Sequence, residues 1–333
     1  MPNLAKIKAS GAHFLNHAAV QPVCGPSRSS LLSGRFPHNV GYVCNGDKPS
    51  ENNYRAVQNN SVGTWLTAAG YHTAFIGKYV NGLEPTVPSG WNFWGGFSSS
   101  AGTYNYYNST PYNVTFDRTG TTPTSPVEWV AMTGTHQSEF VGQWGVQQMG
   151  VAVNAGLPFF VHLTPLMIHY GVCYGPLPNG VTNNLTDPFW EKDLTDWGCA
   201  DKQNRPCSLS ISPCPSLKNA NAFEGQRNPH TPAYNASASG PLPGAMSSLP
   251  KTSPFTSNRQ DIGFRNRSAA LLDLDALLGV VLDGINALGV GADTYVIFTS
   301  DNGYHLGEHK MNMGKEHPYE TDVSLPMCVS SAP

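Results

Sequence analysis

One stretch constrains this chain more than any other: Cys24-Gly25-Pro26-Ser27-Arg28-Ser29-Ser30-Leu31-Leu32-Ser33-Gly34-Arg35. It reads as a cysteine just ahead of a short helix, with Ser27 as the cap, Leu31 and Leu32 packing inward and Gly34 ending it. A reactive group there faces free backbone N–H donors and the positive end of the helix dipole, a ready anion site. Arg28, in the first turn, adds a fork that fits a tetrahedral oxyanion. A buried structural cysteine is the commoner fate of a free thiol, but it leaves Arg28 unexplained.

The flanking sequence has an α/β rhythm. Residues 3–11 read as a helix stopped by Gly11, followed by a short extended run. Ser61 caps a helix that stops at Gly70, and Tyr71–Gly77 reads as a strand leading into Lys78. Residues 84–130 are aromatic and rich in Gly, Pro and Ser, which suits long loops with a hairpin. Residues 138–155 read as a helix, and Pro158–Pro165 as a buried parallel strand bounded by prolines. Arg267–Leu288 is a long amphipathic helix with Leu271, Leu274, Leu278, Val281 and Leu282 on one face. Asp293–Ser300 is the clearest strand, and Asp301-Asn302-Gly303 follows at its carboxyl end, where open α/β sheets bind ligands.

The chain has 333 residues, 40% hydrophobic and 12% charged, with a net charge of −3. That suits a globular protein with a sizeable core, gives no basic footprint for nucleic acid, and includes no apolar run long enough to span a membrane. Residues 171–262 hold 12 of the 27 prolines and read as a long irregular excursion, not a second domain. With Cys24 reactive, Cys44, Cys173, Cys199, Cys207, Cys214 and Cys328 remain for staples whose pairing the sequence leaves open. Sequons start at Asn59, Asn108, Asn113, Asn184, Asn235 and Asn266, and no signal peptide precedes Met1.

Asp301 and Asn302 supply two hard oxygen ligands suited to Ca²⁺ or, less well, Mg²⁺. His305-Leu306-Gly307-Glu308-His309 spells an inverted zinc-protease pattern, but that pattern requires a helix, and Gly307 sits inside it. Gly77-Lys78 and Gly314-Lys315 lack the upstream glycine and the Ser/Thr of a phosphate loop, and no G-x-S-x-G elbow occurs.

Several segments together resemble the sulfatase family. They are the ordered Cys-x-Pro-Ser-Arg signature with its Leu-Leu-Ser-Gly-Arg tail, Asp301-Asn302-Gly303-Tyr304-His305-Leu306-Gly307, and Gly314-Lys315-Glu316-His317-Pro318-Tyr319-Glu320. Lys78 in Ile76-Gly77-Lys78-Tyr79 matches a sulfate-contacting lysine, and His169 resembles a histidine at the sulfate ester, with Ile168 where the family usually has proline. Lys-Tyr-x-Asn is more similar to the branch of N-acetylglucosamine-6-sulfatase and the algal arylsulfatases.

The resemblance implies an alkaline-phosphatase-like α/β sandwich, with a mostly parallel sheet and helices on both faces, over residues 1–333 as one catalytic domain. It implies hydrolysis of an aryl or carbohydrate sulfate ester by formylglycine, made from Cys24 by a formylglycine-generating enzyme. Arg28, Lys78 and Lys315 would neutralise sulfate charge, and His169 would protonate the departing alcohol. A cation, Ca²⁺ before Mg²⁺, would sit on Asp301, Asn302 and the residue made from Cys24. A secreted or lysosomal location is expected. The family's preceding strand with its paired aspartates, and its smaller C-terminal domain, have no counterpart in residues 1–333, so weak Ca²⁺ binding and a longer gene are expected. The alternatives are a phosphate or phosphonate monoesterase on the same fold, and a non-catalytic fragment.

Overall fold

The computed structural model describes residues 1–83, 87–97, 106–107, 109–171, 212–236 and 249–331. In chain order its elements are α1 (Pro2–Ala9), β1 (Gly11–Phe14), α2 (Cys24–Ser33), α3 (Pro37–Val40), α4 (Lys48–Val57), α5 (Val62–Ala68), β2 (His72–Gly77), β3 (Phe93–Gly96), β4 (Tyr112–Thr115) and β5 (Glu128–Trp129). Then come α6 (Gln137–Asn154), β6 (Phe159–Thr164), α7 (Pro254–Ala287), β7 (Tyr295–Thr299), α8 (Glu320–Val323) and β8 (Met327–Ser331).

Strand β2 is the centre of a five-stranded sheet ordered β5-β4-β3-β2-β6. It pairs in parallel with β3 and with β6, the latter in the register His72↔Phe159 to Gly77↔Thr164. The β3–β4 and β4–β5 pairs are antiparallel, as in a hairpin region. A separate three-stranded sheet, β1-β8-β7, is antiparallel throughout. The expected mostly parallel sheet is therefore a mixed one in two parts. Among the described residues, strands β6 and β7 each lie at the edge of a sheet, and β8, unrecognised in the sequence, takes the place beside β7. The expected burial of β6 and β7 is also incomplete: every residue of β6 is partly exposed, and Ile297 in β7 is 61% exposed. Apolar edge strands of this kind expose unpaired backbone groups.

Helices cover both faces of β2, because its successive side chains point to opposite sides. Phe75 packs with Leu32 of α2, Val40 of α3, Tyr54 of α4, Trp91 and Trp94 on one side. Ala74 and Ile76 pack with Phe140 of α6 and with Leu277, Val281 and Ile285 of α7 on the other. The neighbouring stripe of α7, Leu278 and Leu282, instead meets Ile7 of α1 and Cys328 of β8. One helix thus carries two apolar stripes, each facing a different sheet.

Helix α7 begins at Pro254, well before the expected Arg267, so the irregular excursion ends sooner than residue 262. Its start carries the local signals of an N-terminus: Ser253 Oγ accepts from Thr256 N–H at 3.1 Å, and proline occupies the first turn. Residues 212–236 contain turns and an isolated bridge, as the proline content implied, while 172–211 lie outside the described residues. At the other end of the chain, Asp275 of α7 accepts the N–H groups of Asn3 at 3.1 Å and Leu4 at 3.0 Å, capping α1 from outside.

Cys24, Cys44 and Cys328 are free thiols. The sequon at Asn266 lies inside α7, 6% exposed, with its Nδ2 donating to Ser212 Oγ at 3.0 Å, so it cannot accept a glycan. The sequons at Asn108 and Asn184 fall outside the described residues.

Candidate active site

Helix α2 starts at Cys24 itself, one turn earlier than the expected Ser27 cap. Val23 is the capping residue, in an extended conformation and without a side-chain cap bond. The expected row of free first-turn donors is absent, because Gly25 N–H donates to Asn45 Oδ1 at 2.9 Å, Pro26 has no N–H and Ser27 N–H donates to the Val23 carbonyl at 2.9 Å. Ser27 acts differently from the expectation: its hydroxyl donates to the Asp301 carbonyl at 2.5 Å, tying the helix to the end of β7. Gly34 closes the helix in the left-handed region at φ 67°, as read. Close approach decides Gly25, where a Cβ would come within 2.1 Å of the Tyr42 ring.

Cys24 is 2% exposed, and two ammonium groups face its sulfur. Lys78 Nζ lies at 3.3 Å and Lys315 Nζ at 2.7 Å. Lys78 follows directly on β2 and is itself 4% exposed, with its backbone N–H donating to the Thr164 carbonyl of β6 at 2.8 Å. Lys315 comes from a loop that turns back on itself. There His305 and Gly314 exchange backbone hydrogen bonds of 2.8 and 3.1 Å. His305 Nδ1 donates to Asp322 Oδ1 at 2.9 Å, and His317 N–H donates to Asp322 Oδ2 at 3.0 Å. Both partners of this anchor are buried. It accounts for His305 without a metal: the segment is not helical, and His309 stacks on Tyr319 with ring centroids 4.5 Å apart. The inverted zinc-protease pattern is thereby excluded.

Arg28 Nε donates to Asp301 Oδ2 at 2.7 Å, and Nη1 donates to the Lys78 carbonyl at 2.5 Å. Asn302 Oδ1 accepts from Lys315 Nζ at 3.1 Å. His169 Nδ1 donates to the Tyr170 carbonyl at 2.7 Å, which commits that nitrogen and leaves Nε2 for other partners. The Tyr106 hydroxyl holds the His169 carbonyl at 2.7 Å. All seven residues singled out from sequence thus come together: Cys24, Arg28, Lys78, His169, Asp301, Asn302 and Lys315. Cys24, His169 and Lys315 line one cavity of about 570 Å³ together with Arg259 and Tyr304.

The electrostatics follow from this geometry. Burial alone would raise the Cys24 thiol. Lys78, a hydrogen bond with His169 and Lys315 outweigh both burial and Asp301, and hold it well below its ordinary value. Burial also works against ionised Asp301, yet Arg28, Lys78 and Lys315 keep its carboxyl well below the usual carboxylate range. For His169, burial lowers the imidazole against the opposing effect of Cys24. The site is a cationic cradle for a tetrahedral anion, with one sulfur at its base. An oxygen borne on the carbon that now bears the sulfur would meet the same two ammonium groups, so formylglycine fits.

A resident divalent cation fits less well. Asp301 and Asn302 are the two hard oxygen donors the sequence offered for it, and each already faces a cation, Arg28 or Lys315. Among the described residues no group of three or more His, Cys, Asp or Glu side chains could hold a metal. Ca²⁺ takes about six to eight oxygens, so these residues do not make its shell by themselves.

Sequence reasoning missed Tyr106, Arg267 and Tyr304. Arg267 gave a signal: it precedes Leu271, Leu274 and Leu278 on the same helical stripe, a cation where the pattern asks for an apolar side chain.

An α/β scaffold with helices on both faces, a helix start bearing a cysteine and two ammonium groups on its sulfur define an α/β protein with a site suited to an anion. A family model of the sulfatases matches residues 1–333, and the chain belongs to the sulfatase family. It is 25% identical over 335 residues to an arylsulfatase of Volvox carteri, covering 97% of this chain and 46% of that protein. It is 26% identical over 347 residues to the N-acetylglucosamine-6-sulfatase of Homo sapiens, covering 99% of this chain and 53% of that one. The chain thus spans about half the length of these curated relatives. Among solved structures, one described as in complex with its substrate D-glucosamine-2-N,6-O-disulfate superposes with a TM-score of 0.60 at 18% identity, over 99% of this chain and 66% of the other. The shared fold is the alkaline-phosphatase-like one.

Proposed function

We propose that the chain hydrolyses sulfate esters, of aryl alcohols or of carbohydrates, with a nucleophile made from Cys24. The observation that carries this reading is the pair of ammonium groups on the Cys24 sulfur, Lys78 at 3.3 Å and Lys315 at 2.7 Å, at the first residue of α2. Oxidation of Cys24 to formylglycine by a maturation enzyme supplies, in the hydrated aldehyde, an oxygen nucleophile for sulfur and an internal route for expelling sulfate afterwards.

The chain's own residues do the rest. Lys78 and Lys315 neutralise charge on the non-bridging oxygens of the ester, and Arg28 completes the positive wall while holding Asp301. Fixed charges aimed at the transferring group are the largest catalytic contribution expected in such a site. His169 carries its mobile proton on Nε2 and gives it to the departing alcohol oxygen. The bound anion favours that charged form of the imidazole, against the burial that lowers its pKa in the empty site. Asp301 and Asn302 are the candidates to face a divalent cation, with the rest of its shell supplied from elsewhere. Secretion or lysosomal delivery is part of the proposal, and the sequon at Asn59 is exposed as a glycan acceptor would be.

The test is co-expression with a formylglycine-generating enzyme, mass spectrometry of the Cys24 peptide, and assay of 4-nitrophenyl sulfate and glucosamine 6-sulfate. Turnover that disappears in Cys24→Ala is the expected result. Turnover at the native rate in Cys24→Ala would overturn the nucleophile. Phosphate or phosphonate monoesters cleaved in preference to sulfate would move the assignment to that chemistry, and no turnover of any ester would leave a non-catalytic anion-binding fragment.

A further inference from the structure

Two side chains hold the segment that bears His169 from outside the cavity. Tyr106 takes the His169 carbonyl, and Arg267 Nη1 donates to the carbonyl of Ile168, the preceding residue, at 2.8 Å. The Arg267 guanidinium also lies over the Tyr304 ring, its Cζ 3.9 Å from the centroid. Tyr304 stands two residues after Asn302 and lines the same cavity as Cys24 and His169. One side chain of α7 therefore joins the segment after β6, which bears His169, to the segment after β7, which bears Asp301 and Asn302.

This is an unusual place for a cation. Among the described residues no carboxylate pairs with Arg267, and burial lowers its pKa against the influence of Tyr304 and Tyr106. Desolvating a charge without a counter-ion is unfavourable, and an apolar residue at this point of the stripe would pack against Tyr304 without that penalty. A carbonyl bond and a ring contact made at once do require a planar guanidinium, since an ammonium cannot stack flat while donating sideways.

We propose that Arg267 is a positioning residue for His169, and so governs the departure of the alcohol. This rests on the reading of His169 as the proton donor. Protonation matters in proportion to the basicity of the leaving oxygen: a sugar alkoxide needs the proton, whereas 4-nitrophenolate leaves without it. A clamp that aims the donor must therefore act unequally on the two kinds of ester, whereas a merely structural loss slows both alike.

The experiment compares wild type, Arg267→Gln and Arg267→Lys in the full chain, matured in the same host. For Arg267→Gln, kcat on glucosamine 6-sulfate is expected to fall about 100-fold, the scale of general-acid catalysis, and on 4-nitrophenyl sulfate less than about 3-fold. Arg267→Lys is expected to fall between the two, and it carries the test where Arg267→Gln does not fold. A readout without turnover accompanies it: the imidazole ¹⁵N resonances of His169, assigned by their loss in His169→Gln, are expected to shift in the Arg267 variants. Equal slowing of both esters, or unshifted His169 resonances, overturns the clamp. A wild-type chain that cleaves neither ester overturns the proposed hydrolysis instead, and the His169 resonances then decide the clamp by themselves.

Discussion

Arg28 and Asp301 meet through Nε and Oδ2 at 2.7 Å although 273 positions separate them in the chain. The pair joins the start of helix α2 to the end of strand β7, and Ser27 repeats the connection through the Asp301 carbonyl. Both side chains are mostly removed from water, at 14% and 20% exposure.

Removing one partner should therefore be costly. Asp301→Ala leaves the cations of Arg28, Lys78 and Lys315 facing one another without their shared carboxylate. We expect a loss of about 2–4 kcal/mol in urea unfolding. A change below about 0.5 kcal/mol would show the pair to be a surface-like contact with no structural weight.

The two lysines at Cys24 should matter for turnover more than for folding. Lys315→Ala removes the closer ammonium group, and Lys78→Met replaces the buried one by an apolar chain of similar length. Each is expected to lower kcat/KM for an aryl sulfate by about 10²–10³, the cost of removing one preorganised charge from a transition state. A fall of less than tenfold in both would remove the cradle from the mechanism.

Residues 1–333 by themselves should bind Ca²⁺ weakly. Asp301 and Asn302 already serve Arg28 and Lys315, and a site whose two expected ligands must first give up cations belongs at or above the 10⁻⁴–10⁻³ M range, roughly that of the weakest natural Ca²⁺ modules. Titration calorimetry reporting micromolar affinity, lost in Asp301→Ala, would contradict this.

Acid should weaken the fold through histidines whose ring nitrogens are shielded from water, His162 among them although its residue as a whole is partly exposed. Burial, with Arg28 nearby, lowers the His162 imidazole to about 4. The folded state thus keeps His162 neutral while the unfolded chain takes up a proton near its ordinary value of about 6.5. Its contribution is whole above about 6.5 and is lost as pH falls towards about 4. His72 and His136 are lowered by burial as well. We expect the melting temperature to drop between pH 7 and pH 4.5, and to drop less in His162→Phe, whose ring can take the place of imidazole beside Phe75 and Phe160. The same drop in both proteins would assign the acid sensitivity to other groups.

The sequence by itself determined the elements whose signals are local. Ser61 and Gly70 bracket α5, the apolar runs at 72–77, 159–164 and 295–299 are β2, β6 and β7, and Gly34 ends α2. Each depends on a cap, a left-handed glycine or a run of β-branched and aromatic residues, which act within a few positions. It also determined the chemical cast of the site, because the signature around Cys24 and the segments at Lys78, Asp301 and Lys315 name groups whose charge and hydrogen-bonding capacity do not depend on the fold.

The tertiary structure alone decided how that cast is arranged. Ser27 became a tether to Asp301 because Cys24, not Ser27, begins the helix. Strand β8 took its place between β1 and β7, a choice between strand partners that no single strand's sequence encodes. Arg267 joined the Ile168 carbonyl to the Tyr304 ring because α7 lies between both sheets, where its two apolar stripes drive it. Lys315 reached the Cys24 sulfur across 291 positions, through the His305–Asp322 anchor that turns its loop back. Contacts of that span are selected by packing and burial over the whole molecule, which act only once the chain has folded.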